Sequence, residues 1–181
     1  METELRAALE NPGEHFAVHY QPIVDLETKA IVSVEALVRW LHPRRGLLLP
    51  EVFLPVAEES NLIIALGGWV LRTACRDAVL LREGALSPDL ALSVNISPRQ
   101  LGRSTFVDHV REALATSGLP PSCLCLEITE NTLIDVTGSV RADLPALRTL
   151  ACAWPSTISA SAIPPCPIST GCPWTLSLIH I

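Results

Sequence analysis

Four short stretches of this chain alternate in the two-residue rhythm of β-strands, and each carries a polar side chain on the same parity. In 16–21, Ala17, His19 and Gln21 share one face, while Phe16, Val18 and Tyr20 share the other. In 31–37, Ile31, Ser33 and Glu35 oppose Val32, Val34 and Ala36. In 90–95, Ala91, Ser93 and Asn95 oppose Leu90, Leu92 and Val94, and in 123–129, Cys123, Cys125 and Glu127 oppose Leu124, Leu126 and Ile128. Side chains alternate across a strand, so the small or polar face and the bulky aliphatic face cannot point to one core. Strands covered on both faces, with a polar group near their C-terminal ends, are what an α/β barrel offers an active site.

Helical patterns lie between and after these strands. The spacing predicts a helix over 69–83, with Leu71, Ala74, Cys75 and Ala78 on one face and Arg72, Arg76 and Asp77 elsewhere. A second is expected over 106–117, with Val107, Val110 and Leu114 inward, ending at Gly118 before Pro120 and Pro121. Shorter helices are expected over 51–59 and 140–150, the latter weakened by Pro145. Strand–helix units on short loops imply a parallel sheet, open or closed.

A net charge of −6 opposes general electrostatic binding to DNA or RNA. An acidic chain can still take a phosphorylated ligand when metal ions lie between the two. Residues 1–14 are charged and lack the apolar core of a signal peptide. The apolar run 62–71 is too short to span a bilayer, so no membrane contact is expected from this segment. Cys75, Cys123 and Cys125 fall in helix or strand patterns and read as small core residues. No Cys/His spacing matches a zinc site.

Six blocks in order carry a family resemblance. They are Tyr20-Gln21-Pro22-Ile23-Val24-Asp25; Val34-Glu35-Ala36-Leu37-Val38-Arg39-Trp40 with His42-Pro43; Phe53-Leu54-Pro55-Val56-Ala57-Glu58-Glu59; Gly68-Trp69-Val70-Leu71; Ser93-Val94-Asn95-Ile96-Ser97; and Leu126-Glu127-Ile128-Thr129-Glu130. Over roughly residues 3–150 the chain resembles the first half of an EAL domain, the family of bacterial cyclic-di-GMP phosphodiesterases. The resemblance implies an α/β fold, part of a TIM-like (β/α) barrel, with two divalent cations, Mg²⁺ or Mn²⁺, at its mouth. It implies metal ligands at Glu35, Asn95 and Glu127, cyclic-dinucleotide contacts at Gln21, Leu37 and Arg39, and a loop-steadying role for Glu130. It further implies hydrolysis of cyclic di-GMP to linear pGpG in an intact parent, a cytoplasmic setting for this segment and a possible homodimer.

The chemistry of these residue types agrees. Carboxylate and amide oxygens suit hard divalent cations, and an arginine can offer a phosphate two parallel donors. Bland roles stay open from the residues themselves. Glu35 can be an exposed strand-end carboxylate, Asn95 a turn former before Pro98, and Glu130 a solvated loop residue. Glu127 sits between apolar neighbours, where an unpaired carboxylate is costly, so it calls for a cation or a partner. His19 is expected to pack inside, His109 to lie on a solvated helix face, and Trp40 and Trp69 to anchor the core. A non-catalytic module that binds cyclic di-GMP or a protein partner is the alternative function, and an unrelated barrel with a coincidental motif is another.

The composition breaks at Ala151. Residues 151–181 contain no Asp, Glu, Lys or Arg, but five prolines, three cysteines and two tryptophans. Proline at that density forbids a helix or central strand, and disorder normally comes with charge. The resemblance leads one to expect an Asp-Asp-Phe-Gly strand end next, then a lysine and a glutamate that supports the attacking water. None of the three can lie in this stretch. Suitable codons for Ala151 to Thr175, read two bases later, spell Leu-Arg-Leu-Ala-Val-Asp-Asp-Phe-Gly-Ile-Gly-Tyr-Ser-Ser-Leu-Ser-Tyr-Leu-His-Arg-Leu-Pro-Val-Asp. Residues 176–181 also match a translated transposon-end adapter of sequencing libraries. The expectation is a native segment 1–150 followed by a frameshifted, adapter-derived tail without native structure, and an inactive fragment overall.

Overall fold

The computed structural model describes residues 1–84, 87–101, 104–127 and 147. Its centre is a mixed sheet built where the sequence alternates. The strands are β1 (Phe16–Val24), β2 (Ile31–His42), β3 (Gly46–Leu48), β4 (Ala91–Asn95) and β5 (Leu124–Glu127). The order is β1-β2-β4-β5, with β3 paired to β2. The β2–β4 and β4–β5 pairs are parallel, as strand–helix units require, but β1–β2 and β2–β3 are antiparallel. The first expectation therefore needs correcting at the N-terminal end of the sheet. Only six residues separate β1 from β2, too few for a crossover helix, so the chain must turn straight back.

That return is a tight loop capped by Asp25, whose carboxylate accepts from the Thr28 amide (2.7 Å) and hydroxyl (2.7 Å). Between β2 and β3 the turn closes at Gly46, whose φ of +71° lies in the left-handed region that glycine enters without a Cβ penalty.

Among the described residues five α-helices accompany the sheet: α1 (Glu2–Ala8), α2 (Pro12–His15), α3 (Pro50–Glu59), α4 (Ile63–Glu83) and α5 (Ser104–Ser117). The expected helices at 51–59, 69–83 and 106–117 are all present, and α4 starts six residues earlier than its pattern suggested. Helix α5 stops at Gly118, which has φ +76° and donates its N–H to the Leu114 carbonyl at 2.9 Å. The expected helix over 140–150 lies outside the described residues except for Leu147, which is helical and buried. No helix of the described residues is long and apolar enough to cross a membrane.

The bulky strand faces make the core. Val34, Ala36, Trp40, Leu92, Val94, Leu124 and Leu126 are buried with Phe53, Leu66, Leu71, Ala74 and Val110 from the helices. Phe16, Trp40, Phe53 and Trp69 form one aromatic cluster, with Phe16–Trp40 centroids 5.8 Å apart and Trp40–Phe53 edge-on at 5.7 Å. Both tryptophans thus anchor the core as expected. Cys75 is buried, while Cys123 and Cys125 are half-buried, and none of the three is in a disulfide. His19 departs from expectation: it is exposed, because its parity puts it with Gln21 on the polar face. His109 is half-buried rather than solvated, lying over Gly68 of α4.

Candidate active site

The polar parity of every strand gathers on one side of the sheet. Strand register aligns it in rows: Gln21 opposite Glu35, Glu35 beside Ser93, and Ser93 beside Cys125. One step further along the strands, His19 pairs with Leu37 and Asn95 pairs with Glu127. Because β2, β4 and β5 run parallel, Arg39, Asn95 and Glu127 all lie toward the same, C-terminal edge. This is the edge where α/β sheets carry ligands.

Contacts tighten the arrangement. The Asn95 amide nitrogen donates to the Glu35 carboxylate at 2.7 Å, joining the end of β4 to the middle of β2, sixty positions away in sequence. On the far side of Asn95, the backbone N–H of Ile96 donates to the Glu127 carbonyl at 2.7 Å. Glu127 is half-buried. Burial pushes its carboxyl above the ordinary glutamate range; a hydrogen bond with Ser93 works against the rise, and the like charge of Glu35 adds to it.

The three sequence-predicted donors Glu35, Asn95 and Glu127 thus converge on one patch. Among the described residues no group of three or more His, Cys, Asp or Glu side chains forms a metal cluster. The set reaches three donors only through the Asn95 amide. Its chemistry still fits a hard cation: two carboxylates that repel each other, one disfavoured as an anion by burial, and an amide oxygen left over once the amide nitrogen serves Glu35.

The other predicted residues are spread more widely. Gln21 is exposed beside Glu35, and Leu37 is half-buried one step along β2. Arg39 is half-buried, and its guanidinium donates to the Val38 carbonyl at 3.0 Å rather than to either glutamate. Glu130 lies outside the described residues. Sequence reasoning missed Ser93, buried at 5% exposure with its hydroxyl on Glu127. Its parity, two residues before Asn95 on the polar face, was the available signal.

A part-barrel with oxygen donors at the C-terminal ends of parallel strands defines an α/β-barrel domain of the kind that works at its strand tips. The EAL domain family model matches residues 2–153, and the chain belongs to that family. It is 44% identical over 129 residues to the bifunctional diguanylate cyclase/cyclic di-GMP phosphodiesterase MucR of Pseudomonas aeruginosa, covering 71% of this chain and 18% of that protein. It is also 44% identical over 134 residues to the cyclic di-GMP phosphodiesterase NbdA of the same organism, covering 74% of this chain and 17% of the other. A solved structure of the PaMucR phosphodiesterase in complex with c-di-GMP superimposes with a TM-score of 0.76 at 39% identity, covering 84% of this chain and 60% of that one. An uncharacterised Mycobacterium tuberculosis protein is 43% identical over 148 residues, covering 82% of this chain and 23% of that protein. The chain therefore spans less than a quarter of the length of the curated relatives it matches.

Proposed function

We propose that this chain is part of a metal-dependent phosphodiesterase that hydrolyses cyclic di-GMP to linear pGpG. The observation that carries the reading is the Asn95–Glu35 hydrogen bond at 2.7 Å, with Glu127 level with Asn95 on the neighbouring strand. Oxygen donors from three separate strands then meet at one place. The similarity to MucR and NbdA, whose names both include cyclic di-GMP phosphodiesterase, supports the choice of substrate.

In this reading Glu35, Asn95 and Glu127 hold Mg²⁺ or Mn²⁺. A pair of such ions, when bound, activates water at neutral pH and draws charge from the phosphodiester oxygens. Arg39 leaves the Val38 carbonyl to grip a phosphate with two parallel N–H groups. Leu37 packs on the dinucleotide, Gln21 hydrogen-bonds to it, and Glu130 steadies a loop beside the ions. Ser93 holds the Glu127 carboxylate in line. The chain itself is inactive in this proposal, because residues 151–181 supply no further carboxylate or lysine to complete the site.

Two measurements test it. Manganese titration followed by electron paramagnetic resonance should show binding that weakens about tenfold or more in Glu35→Gln and Glu127→Gln. Calorimetry with cyclic di-GMP should show uptake that depends on Mg²⁺. Nucleotide binding with no need for metal would instead favour the non-catalytic module, and hydrolysis by this chain would overturn its inactivity.

A further inference from the structure

We infer that Glu58, Ser97 and Gln100, seated on Gly67, form a clamp that positions the Asn95 amide. The inference rests on the reading of Asn95 as a metal ligand but concerns residues to which that reading assigns nothing. Asn95 ends β4, and two residues later the chain must turn away from the sheet toward α5. A strand end of this kind frays unless its outgoing loop is tied down.

The loop is tied at both ends of the turn. The Ser97 hydroxyl donates to the Glu58 carboxylate on α3 at 2.8 Å. The Ser97 backbone N–H donates to the Gln100 side-chain oxygen at 3.0 Å, and the Gln100 N–H returns to the Ser97 carbonyl at 3.0 Å. Gln100 is only 4% exposed, an unusual depth for a glutamine unless its polar atoms are used. Its side chain occupies the space where a Cβ on Gly67 of α4 would stand, 2.0 Å from the Gln100 amide nitrogen. The turn is therefore fixed to α3 by one residue and to α4 by another.

Asn95 is held on its N-terminal side by the pairing of β4 with β2 and β5, and on its C-terminal side by the Ile96 bond to Glu127 and by this anchor. With the backbone held on both sides, its side chain has one direction that reaches Glu35. Sub-ångström looseness is enough to spoil such a donor set. Glu58, Ser97 and Gln100 touch neither substrate nor metal in this account; they are positioning residues.

The test reads the Asn95 side-chain amide directly, by ¹⁵N NMR of the 181-residue chain, so that it does not depend on activity. In Ser97→Ala and Gln100→Ala, the two Asn95 amide protons should lose the spread that the Glu35 hydrogen bond gives them. Ser97→Thr, which keeps the hydroxyl, should restore it, and Arg99→Ala, an exposed neighbour in the same loop, should leave it unchanged. The indole N–H signals of Trp40 and Trp69 report whether each variant is folded. Should Gln100→Ala unfold, Ser97→Ala and Glu58→Gln carry the decision. Unmoved Asn95 signals in the folded variants overturn the clamp.

Manganese added to the same samples separates the two ideas. Broadening of Asn95 that needs about tenfold more Mn²⁺ in Ser97→Ala supports the clamp acting on a metal ligand. If Mn²⁺ leaves Asn95 untouched in the unaltered chain, the ligand reading fails, while the amide signals still decide whether the clamp exists.

Discussion

Tyr20 joins the sheet to α4 through a hydrogen bond of 2.9 Å from its hydroxyl to Asp77. Burial first, and then that carboxylate, raise the Tyr20 phenol above its ordinary range. The folded state thus holds its proton longer than the unfolded chain does. The stability it contributes is complete below the unfolded value, about pH 10, and is lost as pH rises beyond it. Tyr20 is the chain's one tyrosine, so phenolate absorbance reports it alone. We expect that absorbance to appear together with loss of helical circular dichroism above about pH 10, and Tyr20→Phe to remove the coupling. A tyrosine that ionises without unfolding would contradict this. At the same scale, the shared polar face of Glu35, Asn95 and Glu127 was legible because parity decides which face a strand residue takes. His19 was misjudged although its parity pointed the right way: histidine's intermediate polarity gives no sign of whether its face is covered. Ser93 offered only its parity, and its role, like that of Gln100, depends on a residue distant in sequence, Glu127 for the one and Gly67 for the other.

Among the elements, α4 shows how a glycine pair can mislead. Gly67 and Gly68 interrupt the apolar periodicity, and a helix read from sequence starts after them, yet α4 runs through both from Ile63. The two glycines serve different ends. A Cβ at Gly68 would meet Arg72 and His109 at 3.5 Å, ordinary contact distance, so Gly68→Ala should raise stability by up to about 1 kcal/mol through helix propensity. A Cβ at Gly67 would lie 2.0 Å from the buried Gln100 amide nitrogen and 2.7 Å from its side-chain carbon. Gln100 could yield only by leaving the Ser97 N–H, so Gly67→Ala should cost about 1–3 kcal/mol despite the same propensity gain. Urea denaturation of the two variants checks the opposite signs; two gains would mean that Gln100 moves freely. The antiparallel β1–β2–β3 meander was hidden for a related reason. Alternation marks a strand without its direction, and direction came from loop length, where six residues allow only a reversal.

At the level of the whole molecule, the sheet order leaves β1 and β5 as edges among the described residues, and the polar face stays half-covered where a closed barrel would bury it. The family and the part-barrel were legible because six sequence blocks occur in order. The extent of the native chain was not, because composition reveals a break without its cause. We propose that residues 151–181 are read out of frame, since suitable codons read two bases later would restore Asp-Asp-Phe-Gly at the point where two further carboxylates would join Glu35 and Glu127. The physical consequence is specific. Paired strand edges and a covered face should raise stability, and added carboxylates should tighten Mn²⁺ binding, because each charged oxygen donor strengthens a hard-cation site. Two chains differing only in frame after codon 150, the restored one carried on to the end of its open reading frame, should therefore separate cleanly. The restored chain should melt higher, bind Mn²⁺ more tightly and cleave cyclic di-GMP, while the 181-residue chain aggregates sooner and leaves the dinucleotide intact. Nucleotides incompatible with the alternative frame would defeat the proposal before any protein is made. Equal melting temperatures and equal metal affinity would defeat it afterwards, because carboxylates that add neither stability nor binding cannot belong to the site that Glu35, Asn95 and Glu127 begin.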